Sequence, residues 1–503
     1  VYRAYCLKHD INLSKQKKIN DVLCEYRKTA KLISDNLWNN FYTTSKLERF
    51  IDTKSIASTL SERYKQTCLA QVRGMISSFI ENRKNDFKEY VYRSSISSED
   101  LRIKLLYINK YNLWFSREPI KMKDIVIDDK AMILARTIAR HCFKTNRKPN
   151  MRNIGLALDA KVAEISKSTD GYFDYWVKLA TMEKGKPVYL PLKSNDYFEN
   201  IDGRLANFVQ INSGRNGALS LSLIKDLPKS TSYTPIIDKI GIDIGLSCLI
   251  ATSKGDTFGK EYFFDYLKKQ DERIVELVKR LRKAGLTPNK SKKYRNLVSN
   301  IRAFIKNNVN RAFNRIIELY APNEIVVERL NFQNQNLGKR MNRIIGNFGK
   351  GVIRQKLDSL NELYGIKITE VNPAYTSKIC STCGYVSQKS RKNQATFICA
   401  FCGKNINADI NASRNILARS SSISKGIYKT KAFILQNTVD SFLERPLSHN
   451  SLARAVNNSK YFELAITDES RLSIGLSRYR DKPMKEITML RIHSVTNNGK
   501  EAR

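Results

Sequence analysis

No apolar run in this 503-residue chain approaches the roughly 20 residues needed to cross a bilayer, and no signal-peptide pattern opens it. Both absences argue for a soluble, intracellular protein. A disulfide framework is lacking as well. Of nine cysteines, Cys6, Cys24, Cys68, Cys142 and Cys248 stand singly and read as reduced thiols, while the other four cluster. Acid is scarce: 48 Asp and Glu face 88 Lys and Arg, and the resulting charge of +40 runs along the whole chain rather than in a tail. A field of that sign favours a polyanionic partner. No internal repeat is evident. The first residue is Val1 rather than Met, which leads to the expectation of a few residues missing or trimmed ahead of it. The hydrophobic fraction, 42%, is ordinary for a folded protein, and the length corresponds to roughly three to four domains.

Periodicity divides the chain. Residues 1–13 alternate weakly, as a short strand would. From Ile19 the apolar positions Val22, Tyr26, Ala30, Ile33, Leu37 and Phe41 recur at threes and fours, one face of an amphipathic helix. A second helix carries Tyr64, Cys68, Val72, Met75 and Phe79, and a further stretch spans Ala131 to Phe143, so residues 14–146 read as a helical domain. Strand alternation returns over 147–227, in Phe173, Tyr175, Val177 and Leu179 and again in Leu219, Leu221 and Leu223, with an extended segment at Pro187 to Leu192 between them, consistent with a small β-barrel. Residues 228–235, rich in Ser, Thr and Pro, read as a linker. Beyond it come a strand at 240–245, a hairpin turn at Lys254–Asp256, helices at 262–284 and 297–320, a strand at 324–330, a helix at 351–364 and a strand at 367–371. That order describes a mixed α/β sheet of RNase H-like type within a multidomain α+β protein.

Three acids stand out. In Ile240-Gly-Ile-Asp-Ile-Gly245, period-two alternation sets Ile240, Ile242 and Ile244 on one face and Gly241, Asp243 and Gly245 on the other. The glycines are expected to leave room beside Asp243 for a metal and a phosphate. Glu328 shares a face with Val326 in an apolar strand, where an unpaired acid is costly and a shared cation removes the cost. Asp409 opens a helix marked by Ile410, Ser413, Ile416 and Leu417. Each acid also has a plain structural role open to it: a strand-end turn for Asp243, an ion pair with Arg or Lys for Glu328, helix capping or the first helical turn for Asp409. Phosphodiester hydrolysis is the chemistry that would bring all three together, since two Mg²⁺ ions need shared hard-oxygen ligands and free positions for water and phosphate.

Cys380-Ser-Thr-Cys383 and Cys399-Ala-Phe-Cys402 form two C-x2-C pairs with 15 residues between them, a tetrathiolate zinc spacing. Gly384 and Gly403 follow the pairs and permit the tight turn of a knuckle. Four protein ligands make the expected site structural.

These segments together resemble the TnpB family and the miniature type V-F CRISPR effector nucleases. The resemblance rests on Gly-Ile-Asp-Ile-Gly at 241–245, Val-Val-Glu-Arg-Leu at 326–330, the stretch from Val371 to Gly384, and Asn-Ala-Asp-Ile-Asn-Ala-Ser-Arg-Asn-Ile at 407–416. It implies an RNA-guided DNA endonuclease, active in antiviral defence in a prokaryotic cytoplasm, with one RuvC site. In that site Asp243, Glu328 and Asp409 would hold Mg²⁺ and Arg391 would assist at the scissile phosphate. It further implies a wedge β-barrel in two parts, 1–13 and 147–227, around a helical recognition domain at 14–146. The RuvC nuclease domain then covers 236–375 and ends in 405–420, with a target-nucleic-acid-binding zinc ribbon, 376–404, inserted between the two. Residues 421–503 match nothing in the family and are left as a packing element, an RNA contact or a disordered tail.

The implied partners are guide RNA (a crRNA with a tracrRNA scaffold) and double-stranded target DNA, and no membrane. Type V-F kinship implies a homodimer on one guide, TnpB kinship a single copy. A transposon-encoded TnpB nuclease is the alternative reading. An RNA-guided DNA-binding repressor without cleavage is the alternative of another class, which the presence of all three acids disfavours. Tyr64, Tyr111, Trp114 and Tyr172 are candidates for stacking on bases, although aromatics more often belong to the core.

Overall fold

The computed structural model describes residues 1–465 apart from 95, 97, 117–118, 123–124, 215–216, 229–232, 246–247, 260, 330–349, 394 and 422–426. Half of the expected linker, the end of the strand expected at 324–330, and most of the carboxyl-terminal extension therefore lie outside the described residues. Among the described residues, no helix is long and apolar enough to cross a membrane.

The chain opens with β1 (Tyr2–His9) and then builds a helical layer of α1 (Leu13–Thr44), α2 (Glu62–Arg93), α3 (Glu99–Lys110) and α4 (Asp129–Lys144), with a small hairpin of β2 (Lys121–Met122) and β3 (Ile125–Val126) between the last two. Each of the four helices starts at a side-chain cap, Asn12, Ser61, Ser98 and Asp128, which satisfies a backbone N–H of the first turn. The chain then returns to sheet in β4 (Leu156–Asp159), β5 (Ala163–Lys167), β6 (Tyr175–Leu179), β7 (Val188–Lys193), the one-turn α5 (Asp196–Glu199), β8 (Arg204–Ser213) and β9 (Leu219–Asp226).

β1 sits in the middle of this sheet, whose order is β4-β8-β9-β1-β7-β6-β5. The two outer strands, β4 and β5, are joined by residues 160–162 alone, so the sheet has to curl until its edges come side by side. The helical layer is an insertion in this curled sheet, after β1. The boundary between barrel and helices is less sharp than periodicity implied, because one continuous apolar core runs from Leu7 through the helices to Leu221 and Leu223.

The second body is a five-stranded sheet in the order β12-β11-β10-β13-β14, made of β10 (Ile237–Asp243), β11 (Ile250–Thr252), β12 (Thr257–Phe258), β13 (Pro322–Glu328) and β14 (Lys367–Val371). β10, β13 and β14 are parallel, while β11 and β12 form an antiparallel meander with β10. This is the RNase H-like topology. On one face Ile240, Ile242, Ile325 and Val327 pack under α6 (Glu261–Lys283), α7 (Lys292–Tyr320) and α8 (Lys350–Tyr364). On the other face, Val326 and Val371 pack against Ile416 of α9 (Ala408–Arg419). Between β14 and α9 lies the cysteine-bearing insert with its two short strands, β15 (Thr396–Ile398) and β16 (Asn405–Asn407). Three short helices follow: α10 (Lys431–Leu443), α11 (His449–Asn457) and α12 (Lys460–Ala465).

Candidate active site and metal centre

Parallel pairing aligns Ile242 with Val327. One residue further along, Asp243 and Glu328 end their two strands side by side, about 5 Å apart at the backbone by the ordinary spacing of strands. Asp409 arrives from the helix on the sheet face that Gly241 and Val326 share. It occupies the first turn of α9 but does not cap it, since Asn407 accepts the N–H groups of Asp409 and Ile410 at 2.9 and 3.2 Å. The Asp409 carboxylate is thereby left for other partners, and Arg391 Nη2 lies 3.4 Å from its Oδ1.

The electrostatics tie the acids together. Burial, and then the negative charges of Glu328 and Asp409, push the Asp243 carboxyl well above the usual range, against the pull of Arg391. Burial raises Glu328 too, opposed by a hydrogen bond from the Thr376 hydroxyl and by the charge of Arg419. Asp243 and Glu328 both remain partly open to solvent despite the protein crowded around them. Three carboxylates that repel one another form a donor set whose chemistry fits hard divalent cations. The acids are spaced more widely than the cysteines: among the described residues, only the four cysteines bring three or more donor atoms within 4.8 Å of one another.

Neither Thr376 nor Arg419 was singled out by sequence. Both belong to a polar seam between α9 and the turn that enters the insert. Asn411 and Asn415 donate to the Ile379 carbonyl at 2.7 and 2.6 Å, Asn415 also donates to the Thr376 carbonyl, and Arg419 donates to the Ala374 carbonyl at 2.6 Å. Their spacing of four residues, continuing from Asn407, puts them on one helix face. That periodicity was the signal available in the sequence.

In the insert, Cys380 Sγ lies 3.8 Å from Cys402 Sγ and Cys383 Sγ lies 3.6 Å from Cys399 Sγ. Thiolates about 2.3 Å from a tetrahedral zinc ion sit about 3.8 Å apart, so the four sulfurs fit the metal. Gly384 and Gly403 adopt φ of 69° and 73° and donate to the Cys380 and Cys399 carbonyls, closing both knuckles as the sequence predicts. The flanking residues do not fold alone. Tyr385, Val386 and Phe397 share an apolar cluster with Phe442, Val456 and Phe462 from α10, α11 and α12. The described part of the carboxyl-terminal extension is thus a packing element.

Of the aromatics considered for base stacking, Tyr64 and Trp114 are core residues, and Tyr64 donates its hydroxyl to the Ala180 carbonyl. Tyr111 and Tyr172 are exposed.

A family model described as "Cas12f1-like, TNB domain" matches residues 351–416, which hold all four cysteines, Arg391, Thr376 and Asp409. Over 74 residues the chain is 42% identical to the CRISPR-associated endodeoxyribonuclease Cas12f1 of Sulfoacidibacillus thermotolerans, covering 15% of this chain and 18% of that one. Over 419 residues it is 25% identical to a Cas12f1 from an uncultured archaeon, covering 78% and 70%. The chain is a relative of the miniature type V-F effectors and of TnpB. The chain is also 25% identical over 219 residues to the putative RNA-guided DNA endonuclease InsQ of Escherichia coli K12, covering 40% of this chain and 54% of InsQ. The match thus spans about half the length of InsQ and about a fifth of the Sulfoacidibacillus protein.

Proposed function

We propose that this chain is an RNA-guided DNA endonuclease that hydrolyses phosphodiester bonds at Asp243, Glu328 and Asp409. The observation that carries the reading is that these three acids, far apart in sequence, come to the carboxyl edge of an RNase H-like sheet near enough for the charges of Glu328 and Asp409 to raise the Asp243 carboxyl. The kinship with Cas12f1 and InsQ supports guide RNA and double-stranded DNA as the partners.

Each side chain has a part in this reading. Asp243, Glu328 and Asp409 present the oxygens that hold magnesium, and their wide spacing suits a pair of ions better than one. Bound Mg²⁺ supplies Lewis acidity and lowers the pKa of the attacking water. Thr376 fixes the rotamer of Glu328 through its hydroxyl, and Arg419 sets a buried positive charge behind it. Arg391 orients Asp409 and brings a cation to the edge of the site, where a phosphate would sit. The four cysteines hold a structural zinc ion, and residues 376–404 serve as the ribbon that touches target nucleic acid. Residues 1–13 and 147–227 act as the wedge and residues 14–146 as the recognition domain, which hold guide and target through their backbones.

The deciding experiment uses protein purified with its co-purifying RNA, whose sequence defines the DNA to test. Asp243→Ala should keep guided DNA binding and lose Mg²⁺-dependent cutting. Cutting at the wild-type rate by that variant would reject the assigned site.

A further inference from the structure

The carboxylates occupy the carboxyl edge of the sheet, and a charged arm rises beside them. From Leu277 to Ile317 the chain carries 12 Lys or Arg and no Asp or Glu. These residues are the outer part of α6, the turn after it and nearly all of α7. Between Ile274 and Ile301 no residue is buried, so this stretch stands clear of the core. Val278, Tyr294, Leu297 and Val298 are half-buried and hold the two helices to each other.

The topology fixes where the arm points. α7 is joined to the start of β13 by Ala321 alone, so it has to run back along the sheet from the amino end of that strand. Its 29 residues reach about 43 Å, whereas the seven residues of β13 reach about 23 Å. The helix therefore passes the carboxyl edge by about 20 Å. α6 agrees, because it begins just after β12, where Phe258 pairs with Ile250 next to the Ala251 that faces Asp243. Tyr266 near its start stacks on Phe304 of α7 with ring centroids 3.9 Å apart, and both helices run outward from that point.

Within the arm, Arg280 is paired with Glu276, and Arg295 closes the turn by donating to the carbonyls of Asn289 and Lys290. Lys279, Arg282, Lys283, Lys290, Lys292 and Lys293 are all exposed, with no acid in the segment to neutralise them. Tyr294, Phe304 and Phe313, the aromatic rings of the segment, all pack against the core cluster, so the arm has no platform for base stacking and offers only charge.

We propose that this helical arm is a phosphate-backbone grip for the target DNA presented to the carboxylates. The assignment rests on the nuclease reading above for the identity of the nucleic acid. The position of the arm favours DNA over guide RNA, because it overhangs the edge at which a DNA phosphodiester would be cut. The grip is sequence-independent and acts by displacing counterions.

The test uses the full chain loaded with its guide, carrying Lys279→Gln, Lys283→Gln, Lys290→Gln and Lys293→Gln together. Gln has nearly the helix propensity of Lys, and an unchanged circular dichroism spectrum checks that the arm still folds. Binding of guide RNA and of matching DNA is measured without added Mg²⁺ and without a chelator across a salt series, so nothing is cut and the cysteine site is undisturbed. Guide affinity should stay the same, while DNA affinity should fall about tenfold or more near 0.15 M salt. The slope of log affinity against log salt should flatten by about 3 to 4, near 0.9 for each lost phosphate contact. An unchanged slope for DNA overturns the proposal, and so does a loss that falls on guide RNA instead. Wild-type protein that binds neither guide nor DNA would sink the nuclease reading itself, which is a separate result.

Discussion

A Cβ atom built on Gly241 would lie 2.3 Å from the carbonyl oxygen of Ser413, so strand and helix meet here backbone to backbone. Leu417 closes the same space, with its Cβ and N at 2.7 and 2.8 Å. The glycine before Asp243 thus admits the helix that carries Asp409, rather than leaving room for a metal as its place in the sequence had implied. Close approach of α9 is what brings the third acid to the other two.

Gly241→Ala follows directly. The helix backbone cannot yield cheaply, so the variant should lose about 1–3 kcal/mol of stability, the usual cost of overpacking. Because the displaced helix carries Asp409, cutting should fall further than the melting temperature alone accounts for. Thermal melting and single-turnover cleavage below the melting range check both parts. A less stable protein that cuts at the full rate would show that α9 does not set the alignment.

The three acids repel one another, and the repulsion has a sign in pH. The Asp243 carboxyl is raised by burial and by Glu328 and Asp409, so the folded state holds its proton more tightly than the unfolded chain does. Its contribution to stability is then complete below the ordinary carboxylate pKa and is lost as pH climbs through the raised value. Metal-free protein should melt lower as pH rises through that window, and Mg²⁺ should restore the loss. Asp243→Asn should melt higher than wild type without added Mg²⁺ at neutral pH and gain less from Mg²⁺. Melting curves from about pH 5 to pH 8 with and without Mg²⁺ decide it; a magnesium shift the same size in both proteins would contradict it.

The parts of this architecture that could be read from sequence are the local ones. Alternation around Asp243 and Glu328 is a property of single strands, and the Cys380–Cys402 spacing is a property of one short insert. What escaped was non-local. The place of β1 at the centre of the barrel depends on pairing with β9, with Tyr2 opposite Asp226. Thr376 and Arg419 look unremarkable in the chain and acquire their meaning only where α9 crosses the turn beside Glu328. The helices after Ser420 carry no chemistry, so nothing in their own sequence showed that they pack on the cysteine insert.

That packing makes zinc retention a test of the carboxyl-terminal helices. Phe442 is buried against Tyr385, Phe401 and Phe462, so one apolar cluster joins α10 and α12 to the knuckles. Phe442→Ala should cost about 3–5 kcal/mol locally. Loosening of the insert should follow, with faster zinc loss to a chelator. Stripping the metal from wild-type protein should in turn expose both 376–407 and 431–465 to protease, because folding and metal binding are coupled. Zinc release can be followed with a colorimetric chelator, and wild-type release kinetics in the Phe442 variant would mean that the cluster does not support the site.

Arg329 follows Glu328 directly and is held from the helical layer. Its guanidinium pairs with Glu89 of α2 and lies 4.8 Å over the Tyr428 ring, while its backbone N–H donates to the Val371 carbonyl at 2.9 Å. Tyr428 stacks on Tyr92 of the same helix, centroids 5.0 Å apart and rings 9° from parallel. The residue beside a proposed metal ligand is therefore tied to the layer proposed to hold the guide and target. Both members of the ion pair are about three-quarters covered, so a single reversal leaves two like charges in a poorly solvated contact. Glu89→Arg and Arg329→Glu should each lower stability and cutting, and the double reversal should recover about 0.5–3 kcal/mol of coupling. Recovered melting without recovered cutting would limit the contact to a structural tie. Recovery of both would make it a path by which the helical layer sets the position of Glu328. Additive effects of the two reversals on both readouts would rule out any coupling through this pair.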